Sequence, residues 1–344
     1  SDLAVADVAG RYMTTFMWTI VPSLAYIAIR SFLVAMDNSK VAALIVWGAV
    51  PLNALLDYIL IFGAFGMPEL NVEGAGLASS IVSCCMFVVG ALYVGLSPQY
   101  RKFQIFKNFW RPDWEIFKKL FRLGAPMSIR TSIEEGTFTF SAIVIGWIGV
   151  AELAAHSIIV TVLAVFFLIN VGIASGTTSR VGFAFGQKDY DKTRENGWVG
   201  ICVAASFSVV AAILVGVFSS EIVSLILSVD TEDAERVTEI AAIIMVIAAI
   251  TIIPDGTQIG ISGALDGINE TRMPMINALI AYWGLGFACA WYLAFHLDMG
   301  VVGFWYGILT GLTMNMTLNY LTFWYLVRNN QRLEKQQLLA DTEG

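Results

Sequence analysis

Long runs of apolar residues recur along the whole chain and indicate its fold class. Each run contains about 20 residues, which is enough for one helix to cross a hydrocarbon layer of about 30 Å. Nine runs are predicted to be transmembrane helices: 13–36, 41–63, 75–96, 123–149, 153–175, 198–219, 238–265, 274–296 and 300–327. A membrane β-barrel would instead need short segments of alternating polarity. The pattern therefore predicts an all-α membrane protein, a polytopic helical bundle of about nine spans.

The charges of the loops between these runs predict their orientation. Basic residues concentrate in the loop after the third run, in the loop after the fifth run and in the tail: Arg101, Lys102, Lys107, Arg111, Lys118, Lys119, Arg122, Lys188, Lys192, Arg194, Arg328, Arg332 and Lys335. The alternate loops are mainly acidic: Glu69, Glu73, Glu152, Glu221, Asp230, Glu232, Asp233, Glu235 and Asp298. Loops rich in lysine and arginine remain in the cytoplasm. We therefore expect a cytoplasmic C-terminus and, with nine spans, an external N-terminus.

Residues 101–122 are predicted to form an amphipathic connector between two parts of the chain. Aromatic residues recur there at helical spacing, with basic residues between them: Phe103, Phe106, Trp110, Trp114, Phe117 and Phe121. This pattern is typical of a segment that lies on the membrane surface. A role in binding a partner protein is the alternative.

An internal repeat relates the first three runs to the last three. The stretch from Pro22 parallels the stretch from Pro254 at a constant offset of 232 residues. Further on, PLNALLDY parallels PMINALIAY, and Gly74 and Gly76 fall near Gly300 and Gly303. The fourth to sixth runs have no upstream counterpart, although a repeat protein should supply one. The repeat therefore predicts that three helices precede this sequence.

Composition narrows the classes of function. The chain is 57% hydrophobic and 14% charged with a net charge of −7, which disfavours nucleic acid as a partner. Its four cysteines match no zinc or redox spacing, so we expect free thiols. There is no Walker loop for ATP and no nucleophile constellation in a water-accessible loop. We expect no cofactor and no enzymatic activity.

The seventh run carries a polar stripe within its apolar sequence. Thr251, Asp255, Gln258 and Ser262 recur at positions that align on one helical face. Pro254 removes one backbone hydrogen bond beside Asp255 and can free a carbonyl oxygen for a cation. The stripe is typical of a cavity wall, and hydrogen bonding between helices is the alternative.

Two adjacent carboxylates, Glu134 and Glu135, lie in the middle of the fourth run. They cannot both remain ionised within the membrane without counter-charge, so we expect at least one to bind a proton or a cation. Arg130 precedes Glu134 by four residues, which is the spacing of a helical ion pair. A permanent pair of these two residues, which would make Glu134 structural, is the alternative.

Asn53 and Asp57 share one face of the second run. A carboxylate and an amide at this spacing can form half of a proton or cation site. A purely structural role is equally compatible with the sequence.

Several stretches make the chain resemble the multidrug and toxic compound extrusion family, in its NorM-like bacterial branch. They are PLNALLDYILIFGAFGMPELNVEGAGLASSI, RLGAPMSIRTSIEE, AELAAHSIIVTVLAVFFLINVGIASGTTSRVGFAFGQ and PDGTQIGISGALDGINETRMP. The resemblance implies a two-lobed transporter with twelve helices. It also implies export of drugs and other organic cations across a bacterial cytoplasmic (inner) membrane, in exchange for sodium ions or protons.

On that template the sequence begins at the fourth helix, so the N-terminal lobe is incomplete and the missing helices would be needed for activity. The resemblance implies a partial N-lobe at 1–100, the cytoplasmic connector at 101–122, a complete C-lobe at 123–330 and a cytoplasmic tail at 331–344.

The resemblance also implies roles for single residues. Glu134 and Asp255 fall on the C-lobe cation site, with Glu135 and Thr251 beside them, and a sodium ion would be bound by Glu134 and Asp255. Asn53 and Asp57 match an N-lobe proton site whose partner lies on the family's first helix. The wall of the substrate cavity is assigned five residues: Gln258, Ser262, Arg130, Asn277 and Tyr282.

Three residues depart from the family pattern. Arg130 replaces a usually small or apolar residue, Asp266 stands where the family has arginine, and Thr251 lacks the tyrosine ring of some sodium-coupled relatives. These departures leave the choice between sodium and proton open. A lipid-linked oligosaccharide flippase of the same superfamily and a non-transporting truncated membrane protein are the alternative functions.

Overall fold

The computed structural model describes residues 2–36, 38–103, 113–226 and 234–342, which are helical almost throughout and contain no strand. The α-helices are α1 (Asp2–Phe16), α2 (Ile20–Ala35), α3 (Ser39–Phe62), α4 (Asn71–Leu96), α5 (Trp114–Ile148), α6 (Val150–Gly186), α7 (Tyr190–Val217), α8 (Ser219–Ile226), α9 (Ala234–Gly267), α10 (Arg272–Ala278), α11 (Phe287–Trp291), α12 (Gly300–Val327) and α13 (Asn330–Thr342). Short 3₁₀ segments occupy Met17–Thr19, Ala64–Gly66 and Pro98–Phe103, and π-helical segments occupy Leu279–Gly286 and Tyr292–His296.

Eight helices of the described residues are long and apolar enough to cross a membrane. They coincide with eight of the nine predicted spans, and the all-α membrane fold is confirmed. The ninth predicted span, 123–149, is helical as far as Ile148, where α5 ends. It is less apolar than the other spans because it carries Arg130, Glu134 and Glu135.

The chain divides into two compact units, unit 1 (Ser1–Pro112) and unit 2 (Asp113–Gly344). Part of the predicted connector, 104–112, lies outside the described residues. Its last part is the beginning of α5, whose first residues, Trp114, Phe117 and Phe121, are exposed as an amphipathic segment requires.

Unit 1 contains α1 to α4, and α4 packs against the other three helices. Its small core consists of Leu33, Ala42, Val94 and Tyr100. The Tyr26 hydroxyl donates to the Ala42 carbonyl (3.0 Å), which joins α2 to α3. Large apolar residues cover much of the remaining surface, as a helical unit whose solvent is lipid requires.

Unit 2 is built around α9, which packs against α6, α7 and α12. Its residues are buried on nearly every face from Thr251 to Gly267. A helix that is apolar all round belongs in the interior of a bundle. The polar residues of this part of α9 are therefore enclosed largely by other helices rather than by lipid.

The turn that joins α3 to α4 has the same geometry as the turn before α12. The Leu70 amide bonds the Leu60 carbonyl (3.0 Å), and the Met299 amide bonds the Leu293 carbonyl (3.2 Å). Four residues after these amides, Gly74 brings α4 against the Leu60 carbonyl, and Gly303 brings α12 against the Leu293 carbonyl. A Cβ on these glycines would lie 2.6 Å and 2.8 Å from the respective carbonyl oxygens. The structural counterpart of Gly74 is therefore Gly303, whereas the sequence repeat placed Gly74 near Gly300.

The predicted helix 274–296 contains two π-helical segments that its sequence pattern did not indicate. A π-turn accommodates one extra residue and is frequent at functional sites. The first segment, Leu279–Gly286, carries Tyr282, so the irregular backbone coincides with a residue assigned to a cavity wall.

Candidate functional site: a carboxylate-lined cavity in unit 2

A cavity of about 120 Å³ lies inside unit 2 among α5, α6, α9, the first π-helical segment and α12. We call it the carboxylate cavity. Its polar lining residues are Glu134, Glu135, Asn170, Thr251, Asp255 and Tyr282, and its apolar lining includes Phe138, Leu163, Phe166, Ile252 and Leu312. The structure therefore brings four residues assigned to cation coupling, Glu134, Glu135, Thr251 and Asp255, to the wall of one cavity.

The polar stripe of α9 is divided between this cavity and the helix interface. Thr251 and Asp255 line the cavity, and the Thr251 hydroxyl donates to the Ala248 carbonyl (2.6 Å). Gln258 is 2% exposed and bonds to α5, whereas the buried Ser262 hydroxyl has no hydrogen-bond partner among the described residues. Helix α9 continues unbroken through Pro254, which cannot donate to the Ile250 carbonyl.

Glu134 is held in place by a hydrogen bond from α9. The side-chain amide of Gln258 donates to its Oε1 at 2.8 Å. Glu134 does not form the predicted ion pair with Arg130, because Arg130 binds Asp266 on α9 instead. Both guanidinium nitrogens reach the Asp266 carboxylate, at 3.1 Å and 3.0 Å.

A chain of buried amides holds Tyr282 at the cavity. The Tyr282 hydroxyl accepts from Asn315 (3.1 Å), Asn315 accepts from Asn319 (3.3 Å), and Asn319 accepts from Asn277 (2.9 Å). Asn277 also donates to the Thr322 hydroxyl (3.1 Å). Asn277 therefore acts on the cavity through Tyr282 and does not line it.

Asn170 also lines the cavity, and it was not among the residues predicted from the sequence. Its side-chain amide donates to the Phe166 carbonyl (3.2 Å) and to the Ser208 hydroxyl (3.3 Å). Gly256 makes room for this pair, since a Cβ there would collide with both side chains. The available signal was a lone amide in the apolar run 153–175.

The remaining assigned residues do not line this cavity. Gln258, Ser262 and Arg130 are buried in unit 2 outside its lining. Asn53 and Asp57 lie one turn apart on α3 of unit 1, where both are half-buried.

Three carboxyl groups that face one largely apolar cavity can carry out cation exchange. Like-charged carboxylates at such a place cannot all stay ionised without a proton or a cation. No group of three or more His, Cys, Asp or Glu side chains in the described ranges is close enough to hold a metal ion together. A cation would therefore be held by one or two carboxylates, with neutral oxygens of the kind that Asn170, Thr251 and Tyr282 supply.

Comparison with known proteins gives a consistent set of relatives. A family model described as MatE matches residues 126–292. The chain is 36% identical over 324 residues to a "Probable multidrug resistance protein NorM" of Rhizobium meliloti, covering 94% of this chain and 69% of that protein. A protein of the same description from Bradyrhizobium diazoefficiens is 36% identical over 325 residues, again covering 94% and 69%.

Solved structures show the same fold. A eukaryotic MATE transporter, AtDTX14, superposes with a TM-score of 0.82 at 18% identity and covers 96% of this chain and 72% of that one. The Vibrio cholerae MATE transporter VcmN in its bent form superposes with a TM-score of 0.75 at 17% identity, covering 95% and 70%.

Proposed function

The chain belongs to the multidrug and toxic compound extrusion (MATE) family of multidrug efflux transporters, and we propose that it couples the export of drugs and other organic cations to the entry of sodium ions or protons. The observation that carries this proposal is the position of Glu134, Glu135 and Asp255 around one buried cavity. Charged side chains inside a membrane protein are costly, and their usual role is to carry ions or protons.

The size of the carboxylate cavity supports an ion rather than a drug as its occupant. Sites for drug-sized ligands measure about 300–1,000 Å³, and this cavity measures about 120 Å³. That volume is enough for a cation with a few water molecules. The drug then binds in another arrangement of the transporter.

Antiport requires that the two ligands prefer different arrangements of the protein. A cation that neutralises Glu134 or Asp255 stabilises the arrangement in which these groups are enclosed, and a drug cation stabilises the other. The equilibrium shifts only by the difference in affinity of each ligand for the two arrangements. The carboxyl groups supply that difference for the coupling cation.

We place the protein in the bacterial cytoplasmic membrane with its C-terminus in the cytoplasm. The exposed basic residues Lys188 and Arg328 follow α6 and α12 and support this orientation. The ends of α6, α9 and α12, together with α13, then lie on the cytoplasmic side.

The buried charges do not favour the alternative of a lipid-linked oligosaccharide flippase. Such substrates carry phosphate, which requires basic residues. The one lysine or arginine that is buried among the described residues, Arg130, is already paired with Asp266.

The test is gradient-driven efflux of ethidium from cells that express the full-length protein. Glu134→Gln or Asp255→Asn should abolish efflux, because an amide cannot exchange a cation, while the amount of folded protein in the membrane stays the same. Glu239→Gln is the matched control, since Glu239 is an exposed carboxylate on the same α9 helix. Wild-type efflux by either cavity variant would refute the proposal.

A further inference from the structure

Arg130 and Asp266 form a buried ion pair between α5 and α9. The guanidinium contacts both oxygens of the carboxylate, and the two side chains are 11% and 10% exposed. The residues are 136 positions apart in the chain.

This ion pair lies next to the carboxylate cavity. Arg130 precedes Glu134 by one helical turn, and an arginine at this spacing can reach the glutamate. Gln258, which bonds Glu134, lies two turns before Asp266 on α9. The antiparallel helices α5 and α9 are thus joined by two neighbouring polar links, one at Glu134 and one at Asp266.

A second cavity lies on the other side of the ion pair. It measures about 320 Å³, and its polar lining comprises Thr178, Asp266, Asn269 and Gln337. We call it the inner cavity, because the ends of α6 and α9 and the tail helix α13 surround it, on the side that the basic loops place in the cytoplasm. Asp266 is therefore the group through which the ion pair meets this cavity.

Arg130, Glu134 and Asp266 interact electrostatically with one another and with a small number of other ionisable groups. Arg130 interacts electrostatically with Asp266, Glu134 and the Tyr282 hydroxyl. Glu134 interacts with Arg130, Asp266 and Glu135, and Asp255 interacts with Glu134 and Glu135. One guanidinium thus serves two carboxylates, Asp266 and Glu134, which lie within electrostatic range of each other.

We propose that the Arg130 guanidinium alternates between an ion pair with Asp266 and an ion pair with Glu134. We also propose that Asp266 is the last carboxylate that binds the coupling cation before the cation enters the inner cavity. With a proton or sodium ion on Glu134, Arg130 pairs with Asp266, which is the arrangement in this structure. When the cation moves from Glu134 to Asp266, Arg130 moves from Asp266 to Glu134. The cation then leaves Asp266 through the inner cavity.

The exchange keeps the buried charge constant. Before it, Arg130 neutralises Asp266 and the cation neutralises Glu134; after it, Arg130 neutralises Glu134 and the cation neutralises Asp266. The O–H bond or ion contact at Glu134 is broken and formed again at Asp266, so the cation gained by Asp266 is the cation lost by Glu134. The two Arg130–Asp266 hydrogen bonds are broken at the same time and are replaced by hydrogen bonds from Arg130 to Glu134. A cation that left Glu134 without this exchange would strand a buried, unpaired carboxylate, which is the costly outcome.

The test uses cation-dependent thermal stabilisation of the purified protein, because a bound cation raises Tm by mass action. Tm is followed against sodium chloride, with choline chloride as the ionic-strength control, and against pH from 5 to 8. Asp266→Asn leaves Glu134 as the remaining carboxylate partner of Arg130, so the guanidinium competes with the cation. The apparent affinity should fall at least about tenfold, which for a proton is a midpoint lower by about one pH unit or more.

The double variant Arg130→Met with Asp266→Asn removes the competitor as well. Cation affinity should therefore return to within about threefold of the wild-type affinity. If the two substitutions only removed structural contacts, their effects would add, and the double variant would bind the cation no better than Asp266→Asn. Glu152→Gln is the matched control, because it breaks a different ion pair between α6 and α9, Glu152–Arg236 (3.2 Å), and should leave the cation midpoint unchanged. An Asp266→Asn midpoint equal to that of the wild type would overturn the proposal.

The proposal rests on the proposed function, and the experiment separates their failures. A wild-type protein without any cation-dependent change in Tm contradicts cation coupling itself. A wild-type response that is lost in Glu134→Gln but retained unaltered in Asp266→Asn contradicts only the exchange. If Asp266→Asn does not fold, the double variant provides the test. It should bind the cation but lose ethidium efflux. Ethidium efflux retained in the double variant would refute the exchange.

Discussion

Asn319 is the central link of the amide chain that holds Tyr282 at the carboxylate cavity. It donates to Asn315 and accepts from Asn277, and all three are buried. Inside a membrane protein such amides have no water to replace a lost partner. The spacing of Asn315 and Asn319 along α12, together with the position of Asn277 on α10, therefore determines where the Tyr282 hydroxyl lies.

Replacement of Asn319 by leucine should lower the free energy of unfolding by about 1–2 kcal/mol, because it leaves neighbouring amide groups without a partner. Reversible unfolding in mixed micelles measures this change. Thr317→Val on the same helix is the control, since Thr317 is exposed and bonds only the Thr313 carbonyl. A loss in Thr317→Val as large as in Asn319→Leu would contradict the role of the chain.

Individual residue types and helical faces were predictable, whereas long-range partners were not. The spacing of Arg130 and Glu134 indicated a possible pair within α5, and the structure shows that Arg130 binds Asp266 instead. Local spacing measures only reach along one helix. Which distant helix supplies a better bidentate partner depends on how α5 and α9 are packed, and a single sequence does not contain that information.

Close packing at the scale of whole helices fixes the hairpin that carries Tyr282. Gly307 on α12 lies directly against Ala290 on α11, and a Cβ on Gly307 would collide with the backbone of Ala290. Small residues allow membrane helices to approach closely enough for extensive van der Waals contact.

Gly307→Ala should therefore destabilise the protein by about 1–3 kcal/mol through overpacking. Gly172→Ala is the matched control, because the space beside Gly172 on α6 is open; it should be neutral or stabilising by up to about 1 kcal/mol through higher helix propensity. Unfolding of both variants in the same detergent measures the difference. Equal free energies of unfolding for the two variants would show that α11 and α12 can move apart to accommodate the added methyl group.

The start of α7 provides a prediction about pH. The Asp189 carboxylate caps this helix, and the hydrogen bond from the Lys192 backbone amide, aided by the Lys192 side chain, lowers the pKa of Asp189 below its ordinary value of 3.8. A lowered pKa in the folded state means that the cap contributes fully above about pH 3.8 and loses its contribution as the pH falls through the folded value.

Asp189→Asn keeps an efficient cap that does not titrate. The stability difference between wild type and Asp189→Asn should therefore be constant from pH 7 to about pH 5 and should turn against the wild type below about pH 4. Thermal unfolding followed by tryptophan fluorescence at each pH measures it. Asp189→Ala, which removes the cap, should be less stable than Asp189→Asn at every pH.

The helices themselves were largely predictable, because a membrane-spanning helix needs a long apolar run and little else. The π-helical segments at Leu279–Gly286 and Tyr292–His296 were not. An apolar run predicts that a helix forms, but it does not predict whether the backbone hydrogen bonds join residues four apart, as in an α-helix, or five apart, as in a π-helix. The uneven backbone that positions Tyr282 arises from packing against α12 and is therefore visible only in the structure.

At the scale of the whole molecule, the polar groups of unit 2 are arranged along one direction. Asp255, Glu134, Arg130 and Asp266 follow one another along the antiparallel helices α5 and α9, and the inner cavity adjoins the last of them. The sequence showed each carboxyl group separately. That they form a continuous series between two cavities depends on the side-chain bonds that join α5 to α9 in the folded protein.

The series from Asp255 to Asp266 leads a cation into the cell only if the inner cavity faces the cytoplasm. The orientation of the protein in the membrane can be measured. Gln187, between α6 and α7, and Leu297, before α12, are exposed at loops that the charge pattern assigns to opposite sides. After the four native cysteines have been replaced by alanine, Gln187→Cys and Leu297→Cys are treated with a membrane-impermeant maleimide. Leu297→Cys should react in intact cells and Gln187→Cys only after permeabilisation. The reverse pattern would turn the inner cavity outward, and Asp266 would then be the first carboxylate that the entering cation meets rather than the last.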